Sequence, residues 1–163
     1  MTTKVPHPRS TPLATGQAKK KAKATSKYTP GDYLLHAKRS RAGIGLFAGE
    51  DIPKEVCVIE YVGRQVTKEE ETTSKSKYLF EISKNKTIDG KPKWNKAGYI
   101  NHTCKGNCEP EIRQGRVFIM STRALKKGEE LGYDYGEDYY LEHVHPCRCS
   151  APKHLYLKKA LKK

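Results

Sequence analysis

The sequence predicts a mainly β fold with only short helices, and three features support this prediction. Short runs rich in β-branched and aromatic residues recur along the chain and are bounded by turn-forming residues. No long stretch repeats apolar residues at the helical period, and no internal repeat is visible. The 163 residues are enough for a tail and one domain that buries its own core without disulfides or metal ions.

The first predicted elements lie between residues 56 and 71. The run 56–62 is β-branched and ends at Gly63, which predicts a strand. Thr67 then precedes the acidic residues 69–71. A threonine in this position caps free N–H groups, and acidic residues in the first turn complement the helix dipole. A helix is therefore predicted to begin after Thr67.

The later predicted elements are strands separated by turns. Residues 78–82 and 86–89 resemble a strand pair joined by a short turn. Another strand, 116–120, follows the turn residues 114 and 115. A turn at residues 126–128 precedes a final predicted strand at 129–135. Beyond Gly136 the pattern weakens to an aromatic and charged segment, then a cysteine pair and a basic end.

The N-terminal segment, residues 1–27, is predicted to be a disordered basic tail. It is rich in Lys, Thr, Ser, Ala and Pro and cannot bury enough surface to offset its ordering entropy. The formal net charge of the chain is +14. Charge of this kind attracts polyanions, so non-specific contact between the tail and nucleic acid is expected. The Lys-rich run 19–23 is either a nuclear-localisation or nucleic-acid patch or a solvated charge run.

The cysteines are interpreted as metal ligands before disulfides. No stretch approaches the ~20 apolar residues that span a bilayer, and no secretory signal is visible, so we expect no membrane partner and a reducing compartment. The cysteines at 147 and 149 are too close for an easy mutual disulfide. Cys57 lies in a β-branched run and is expected to be a core residue, whereas Cys108 has no clear partner.

Three short motifs carry groups suited to chemistry. Residues 43–45 read Gly-Ile-Gly, which permits close backbone approach to a ligand but also suits a simple turn. Residues 101–110 concentrate amides, an imidazole and two thiols, a pattern that also suits an ordinary polar loop. Residues 129–136 end in two tyrosines that flank a carboxylate, which also suits an ordinary aromatic strand end.

In this order the motifs resemble the SET-domain family. The family's Gly-x-Gly, Glu-Tyr-x-Gly, Asn-His-Ser-Cys and Glu-Leu-x-x-Asp-Tyr motifs match residues 43–45, 60–63, 101–104 (with Thr103 for Ser) and 130–135. The resemblance implies a β-clip-like fold of small curved sheets, in which the Asn-His loop and the last tyrosine strand cross in a knot-like arrangement. It implies a SET domain at residues 28–137 and a post-SET-like zinc segment at 138–163. No cysteine-rich cluster is visible before the motifs, so the likeness is to a minimal SET domain.

The resemblance also implies an activity, protein-lysine N-methyltransfer from S-adenosylmethionine. Cofactor and target lysine would enter from opposite faces and meet in a narrow channel. Tyr135 is expected to be the principal catalytic tyrosine, Tyr61 to line the same channel and Tyr133 to limit transfer to one methyl group. Tyr78 is a weaker candidate for the channel, and ordinary strand packing is the alternative for Tyr61 and Tyr78.

The remaining expected site residues bind cofactor or metal. The candidate cofactor-binding residues are Gly43, Ile44, Gly45, Asn101, His102, Tyr99 and Tyr156. The candidate zinc ligands are Cys104, Cys147, Cys149 and His154. The family often has a third post-SET cysteine where this chain has His154, and a Cys₃His set is a standard closed zinc site. His143 and His145 are nearby rivals for the fourth ligand, and free thiols in a mobile tail are the alternative.

The expected substrate is a protein with an exposed lysine, and histone tails are the family's usual target class. The expected location is nuclear or chromatin-associated, or cytoplasmic or host-targeted if the protein is microbial. Two other functions fit the sequence. One is a catalytically inert SET-like module that binds lysine peptides, and the other is a basic, zinc-stapled nucleic-acid-binding protein. Cofactor titration and deletion of the tail, respectively, discriminate them from the enzyme.

Overall fold

The computed structural model describes residues 26–156. The predicted tail at residues 1–27 lies outside the described residues, apart from its last two. Of these, Lys27 donates to Glu111 at 2.8 Å. No helix in the part of the chain that is described has both the length and the apolar character needed to cross a membrane.

The described chain is mostly strands with few short helices, which confirms the predicted fold class. The strands are β1 (Leu35–Ser40), β2 (Gly43–Ala48), β3 (Cys57–Tyr61), β4 (Arg64–Val66), β5 (Leu79–Ser83), β6 (Lys86–Asp89), β7 (Asn101–His102), β8 (Cys108–Arg113), β9 (Arg116–Ser121) and β10 (Gly132–Tyr133). The helices are α1 (Lys68–Thr73), a 3₁₀ turn (Lys96–Tyr99) and α2 (Glu137–Tyr139), which continues as a π-helical turn (Tyr140–Val144).

The strands form small separate sheets around a common core. β1 and β2 form an antiparallel hairpin, β3, β9 and β8 form an antiparallel sheet in that order, and β4, β6 and β5 form another. β7 and β10 pair in parallel, although about thirty residues of chain separate them. The buried core includes Leu46, Ile100, Val117, Ile119 and Leu131, which come from several of these sheets and from the connecting segments.

The predicted helix begins where its capping residues indicate. The Thr67 hydroxyl accepts a hydrogen bond from the Glu70 N–H at 3.2 Å, and the Glu70 carboxylate accepts one from the Thr67 N–H at 2.9 Å. This reciprocal arrangement is a capping box, and it satisfies two donors that the helix itself leaves free. The helix ends after one and a half turns at Ser74, whose backbone is extended.

Five strands, β1, β2, β4, β7 and β8, were not predicted, and the last strand is shorter than predicted. β1 is largely polar and β8 contains Pro110 among charged residues, so neither has the apolar pattern typical of strands. Both pair along their whole length with a neighbour that does have it, β2 and β9. In the predicted strand 129–135, regular pairing is confined to Gly132–Tyr133, while Glu130 makes an isolated bridge to Phe47.

Candidate active site

The parallel pairing of β7 with β10 brings the Asn-His motif beside the tyrosines of the last motif. Asn101 lies opposite Gly132, and His102 lies opposite Tyr133. The Thr103 N–H donates to the Tyr133 carbonyl at 3.0 Å and extends the ladder by one bond. Residues far apart in the sequence are thereby held at fixed spacing, because each backbone hydrogen bond of the pair sets the register of both segments.

A cleft of about 730 Å³ runs past this crossing. Of the residues predicted to bind cofactor or act in catalysis, it is lined by Gly43, Ile44, Tyr61, Tyr99, Asn101, His102, Tyr133 and Tyr135. Tyr78 lines it as well. Gly45 and Tyr156 do not line it: Gly45 is buried behind Ile44 in β2, and Tyr156 packs against Tyr140 at 5.1 Å between ring centroids.

Aromatic rings form one wall of the cleft. Tyr133 and Tyr135 pack with their ring centroids 5.0 Å apart, and Tyr135 meets the edge of Tyr139 at 5.2 Å. Tyr61 packs against Phe80 at 5.3 Å. Tyr61 and Tyr133 are almost fully buried. Such a wall is apolar along the rings and polar only at the hydroxyl tips, which suits a narrow channel for an alkyl chain ending in an amine.

Two tyrosine hydroxyls have their protons directed at backbone carbonyls. The Tyr61 hydroxyl donates to the Tyr78 carbonyl at 2.8 Å, and the Tyr135 hydroxyl donates to the Ile100 carbonyl at 2.5 Å. Burial raises the pKa of both phenols well above the ordinary value, with nearby tyrosines adding to the effect. Both groups are therefore neutral at physiological pH, and their oxygen lone pairs remain available to accept hydrogen bonds from a ligand.

The Tyr133 hydroxyl is different because it has no hydrogen-bond partner among residues 26–156. Burial raises its pKa well above the ordinary value, as for its neighbours. A neutral phenol that lines a cleft without a protein partner can hold a water molecule or a ligand amine.

Asn101, which is predicted to bind cofactor, is positioned by Glu130, a residue that begins the Glu-Leu-x-x-Asp-Tyr motif but for which the sequence predicted no role. Its carboxylate accepts hydrogen bonds from the Asn101 amide at 2.9 Å and from the Ser40 hydroxyl at 2.9 Å. The same Asn101 amide donates to the Ile44 carbonyl at 3.2 Å. Gly45 allows this arrangement, since a Cβ atom there would collide with the Glu130 carboxylate. Gly43 has φ of 121°, a conformation that side chains other than glycine rarely adopt.

His102 connects the cleft to the cysteines. Its Nδ1 accepts a hydrogen bond from the Tyr135 N–H at 3.2 Å, which assigns the proton to Nε2. Nε2 lies 3.3 Å from the Cys104 sulfur. Burial lowers the pKa of His102, while Asp134 opposes that shift. The ring is therefore neutral at physiological pH, and its N–H is directed at a thiol or thiolate.

The residues predicted to bind metal converge on one point. The ligand atoms of Cys104, Cys147, Cys149 and His154 all lie within 4.8 Å of one another. His154 Nδ1 is 3.7 Å from the Cys104 sulfur and 3.6 Å from the Cys149 sulfur. A tetrahedral site with bonds of about 2.0–2.3 Å has ligand atoms about 3.5–3.8 Å apart, so these donors fit such an ion.

The alternative histidines take part in other contacts. His143 packs against Tyr139 with ring centroids 4.6 Å apart, and His145 packs against Tyr140 at 6.2 Å. Within the cluster, burial favours the neutral thiol of Cys149, but hydrogen bonds from backbone and neighbouring thiols outweigh it and lower the pKa to about 6. A lowered thiol pKa favours the thiolate, which is the form that binds metal.

The C-terminal segment is anchored by a bond that the motifs did not reveal. The Tyr156 hydroxyl donates to the Asp134 carboxylate at 2.6 Å, and this bond raises the pKa of Tyr156 to about 12. Asp134 also accepts from the Gly136 N–H at 3.0 Å.

Tyr139 lines the cleft but was not predicted from the sequence. Its position depends on the fold of the segment after Gly136 and not on a motif.

Comparison with known proteins identifies similar chains. Residues 43–136 match the profile of the SET domain. The chain is 36% identical over 133 residues to histone-lysine N-methyltransferase trr of Drosophila melanogaster, a match that covers 74% of this chain. It is 36% identical over 131 residues to histone-lysine N-methyltransferase 2D of Homo sapiens, covering 72% of this chain. The matches span only 5% and 2% of those much longer relatives.

Solved structures with the same fold are also found. A structure of KRYPTONITE in complex with mCHG DNA and SAH has a TM-score of 0.62 and 29% identity, covering 75% of this chain and 28% of that one. A structure of ctPRC2 in an autoinhibited conformation bound to S-adenosylmethionine has a TM-score of 0.58 and 29% identity, covering 64% of this chain and 15% of that one.

Proposed function

The chain belongs to the SET-domain family, and from this premise we propose that it is an S-adenosylmethionine-dependent protein-lysine N-methyltransferase. One observation carries the proposal. The same cleft is lined by Gly43, Ile44, Asn101 and His102 and also by Tyr61, Tyr133 and Tyr135. An inert peptide-binding module would have no need to hold these two sets of groups at a single crossing.

We assign cofactor binding to the side of the cleft that Glu130 organises. The cofactor supplies an activated methyl group. Gly43 and Ile44 offer exposed backbone at the rim, and Asn101 and His102 offer an amide and backbone groups. We propose that Tyr99, which lies in the 3₁₀ turn and lines the cleft, contacts the same ligand. The structures of ctPRC2 and KRYPTONITE bound to S-adenosylmethionine and SAH support this choice of cofactor.

The tyrosines prepare the acceptor lysine. A lysine amine must lose its proton before it can accept a methyl group, and its ordinary pKa of about 10.4 opposes this at neutral pH. The buried rings of Tyr61 and Tyr133 lower that pKa by desolvation, so no strong base is required. The oxygens of Tyr61 and Tyr135 accept hydrogen bonds from the remaining N–H groups and orient the amine toward the methyl donor. The displaced proton leaves to solvent.

We propose that the Cys₃His cluster holds one structural Zn²⁺. Cys147 and Cys149 belong to a segment that lines the cleft, whereas Cys104 lies two residues after the end of β7. An ion shared by these thiolates therefore ties the cleft wall to the strand crossing. Such a site adds its binding energy to folding, and this segment has little apolar core of its own.

The relatives support a histone tail as the substrate and the nucleus as the location, since they are named histone-lysine N-methyltransferases. We propose both for this chain. The main product is proposed to be monomethyl-lysine, because the Tyr133 hydroxyl occupies or hydrates the space that an existing methyl group needs.

Tyr135→Phe tests the proposed function. The change keeps the ring contacts and removes the hydroxyl that orients the amine. Methyl transfer to a histone panel should fall on the order of 10²-fold or more, while cofactor affinity stays within about threefold. Mass spectrometry and calorimetry measure the two quantities. Tyr28→Phe is the matched control, because it also removes one tyrosine hydrogen bond, to Glu111, away from the cleft. Near wild-type activity in Tyr135→Phe would show that the catalytic tyrosine is misassigned.

Zinc should be present at about one ion per chain in protein purified without chelators. Elemental analysis measures it directly. His154→Ala should lower the zinc content and loosen the segment from Cys147 onward, and limited proteolysis detects the loosening. His143→Ala is the control and should retain the ion, because His143 lies outside the cluster. Removing zinc should also abolish methyl transfer. Full zinc content in His154→Ala, or metal-free wild-type protein, would refute the assignment.

Tyr133→Phe should shift the product from monomethyl- toward di- and trimethyl-lysine. The phenylalanine removes the one hydroxyl of this wall that is without a partner in residues 26–156, so a water held there is easily displaced. About 1.4 kcal/mol of relief is enough for a tenfold faster second transfer. Mass-spectrometric time courses give the ratios. An unchanged ratio, or wild-type protein that proceeds readily to trimethyl-lysine, contradicts the proposal.

A further inference from the structure

We propose that a cationic, aromatic surface beside the mouth of the cleft binds single-stranded nucleic acid. We call this surface the lysine–tryptophan patch. It consists of Lys75, Lys77, Tyr78, Lys91, Lys93, Trp94 and Lys96. The inference goes beyond methyl transfer and does not depend on it, since the patch is made by residues outside the tyrosine wall and the cofactor side.

The two segments of the patch are fastened to each other. The Gly90 N–H donates to the Tyr78 carbonyl at 2.9 Å, and the Ser76 hydroxyl donates to the Asp89 carboxylate at 2.8 Å. Asn95 is almost fully buried beneath the surface, and its amide donates to the Gly90 carbonyl at 2.9 Å. These hydrogen bonds fix the two segments relative to each other, so the lysines do not lie on independent loops.

The patch carries positive charge that the described protein does not neutralise. All five lysines are exposed, and no ion pair or hydrogen bond joins their ammonium groups to a residue in the range 26–156. Asp89 is the one acid in segments 74–78 and 89–96, and it is already bonded by Ser76 and by the Lys91 N–H. Lysines elsewhere in the described chain form ion pairs with acidic residues, as Lys126 does with Asp51 at 2.8 Å. A run of unpaired lysines is suited to successive phosphates.

Trp94 distinguishes a nucleic acid from other polyanions. It is the chain's sole tryptophan, and 64% of it is exposed to solvent even though tryptophan is usually well buried. Tyr78, 39% exposed, supplies a second ring in the adjoining segment. Rings interleaved with lysines provide stacking for unpaired bases together with phosphate contacts. An acidic polypeptide would satisfy the lysines but would leave the indole without a partner.

The patch also adjoins the catalytic opening. Lys77 and Tyr78 line the cleft, and the Tyr78 carbonyl is the acceptor for the Tyr61 hydroxyl. Single-stranded nucleic acid bound to the patch would therefore lie alongside the opening through which the acceptor lysine enters. This arrangement favours lysines on proteins that are themselves bound to nucleic acid.

Tryptophan fluorescence of the 163-residue chain, excited at the red edge where tyrosine does not absorb, tests the stacking directly because Trp94 is then the sole emitter. Titration with a single-stranded DNA oligonucleotide should quench this emission, whereas polyglutamate should not. Trp94→Ala should weaken binding of a labelled oligonucleotide by about tenfold, and Trp94→Phe should restore part of the loss. Unquenched emission at saturating oligonucleotide, or equal affinity for polyglutamate, overturns the proposal.

Charge substitutions test the phosphate contacts separately from the tail. Lys91→Ala with Lys93→Ala should reduce the salt slope of binding by about 1.4, since each lost single-strand phosphate contact contributes about 0.7. The matched control, Lys84→Ala with Lys127→Ala, removes the same charge from exposed lysines outside the patch and keeps the same tail. Equal slopes for the two double variants would mean that binding is diffuse and would refute the patch. Methylation of a free peptide should be unchanged in the Trp94 variants and in both double lysine variants. Failure of the proposed methyltransferase activity is therefore distinguished from failure of the patch.

Discussion

The parallel pairing of β7 with β10 is the constraint on which the site depends. A parallel pair this short has little stability of its own, so other contacts must hold it. Asn107 provides them: its amide donates to the Glu130 carbonyl at 2.8 Å, its side-chain oxygen accepts from the Gly132 N–H at 2.9 Å, and its own N–H donates to the Gly132 carbonyl at 3.1 Å. Asn107 is nearly fully buried, which protects these bonds from competition by water.

Three groups of residues with proposed functions meet at this crossing. Asn101 of β7 bonds to Glu130 on the proposed cofactor side, and Tyr133 of β10 and Tyr135 line the proposed lysine channel. His102 accepts from the Tyr135 N–H and directs its other nitrogen at Cys104, which belongs to the proposed metal cluster. A shift of the crossing by one residue would therefore displace all three groups together.

Local signals were readable from the sequence, and long-range ones were not. The cap at Thr67 and the β-branched strands around residues 57–61 and 116–121 depend on neighbouring residues, so pattern alone predicted them. The candidate site residues came from a family resemblance, and the structure brings most of them to one cleft. The polar strand β1, the role of Glu130 and the exposed position of Trp94 depend on partners distant in the sequence, which no local pattern reveals.

Asn107→Ala, measured for both stability and cofactor affinity, tests most directly whether the crossing holds the site together. The change leaves the partly buried Glu130 carbonyl and the buried Gly132 N–H without these partners, and each loss costs about 1–3 kcal/mol. We expect the free energy of unfolding to fall by about 2–6 kcal/mol and cofactor affinity to fall at least about tenfold at temperatures where the variant is still folded. The matched change Asn85→Ala, on an exposed turn between β5 and β6, should alter neither. A folded Asn107→Ala variant with wild-type cofactor affinity would contradict the account.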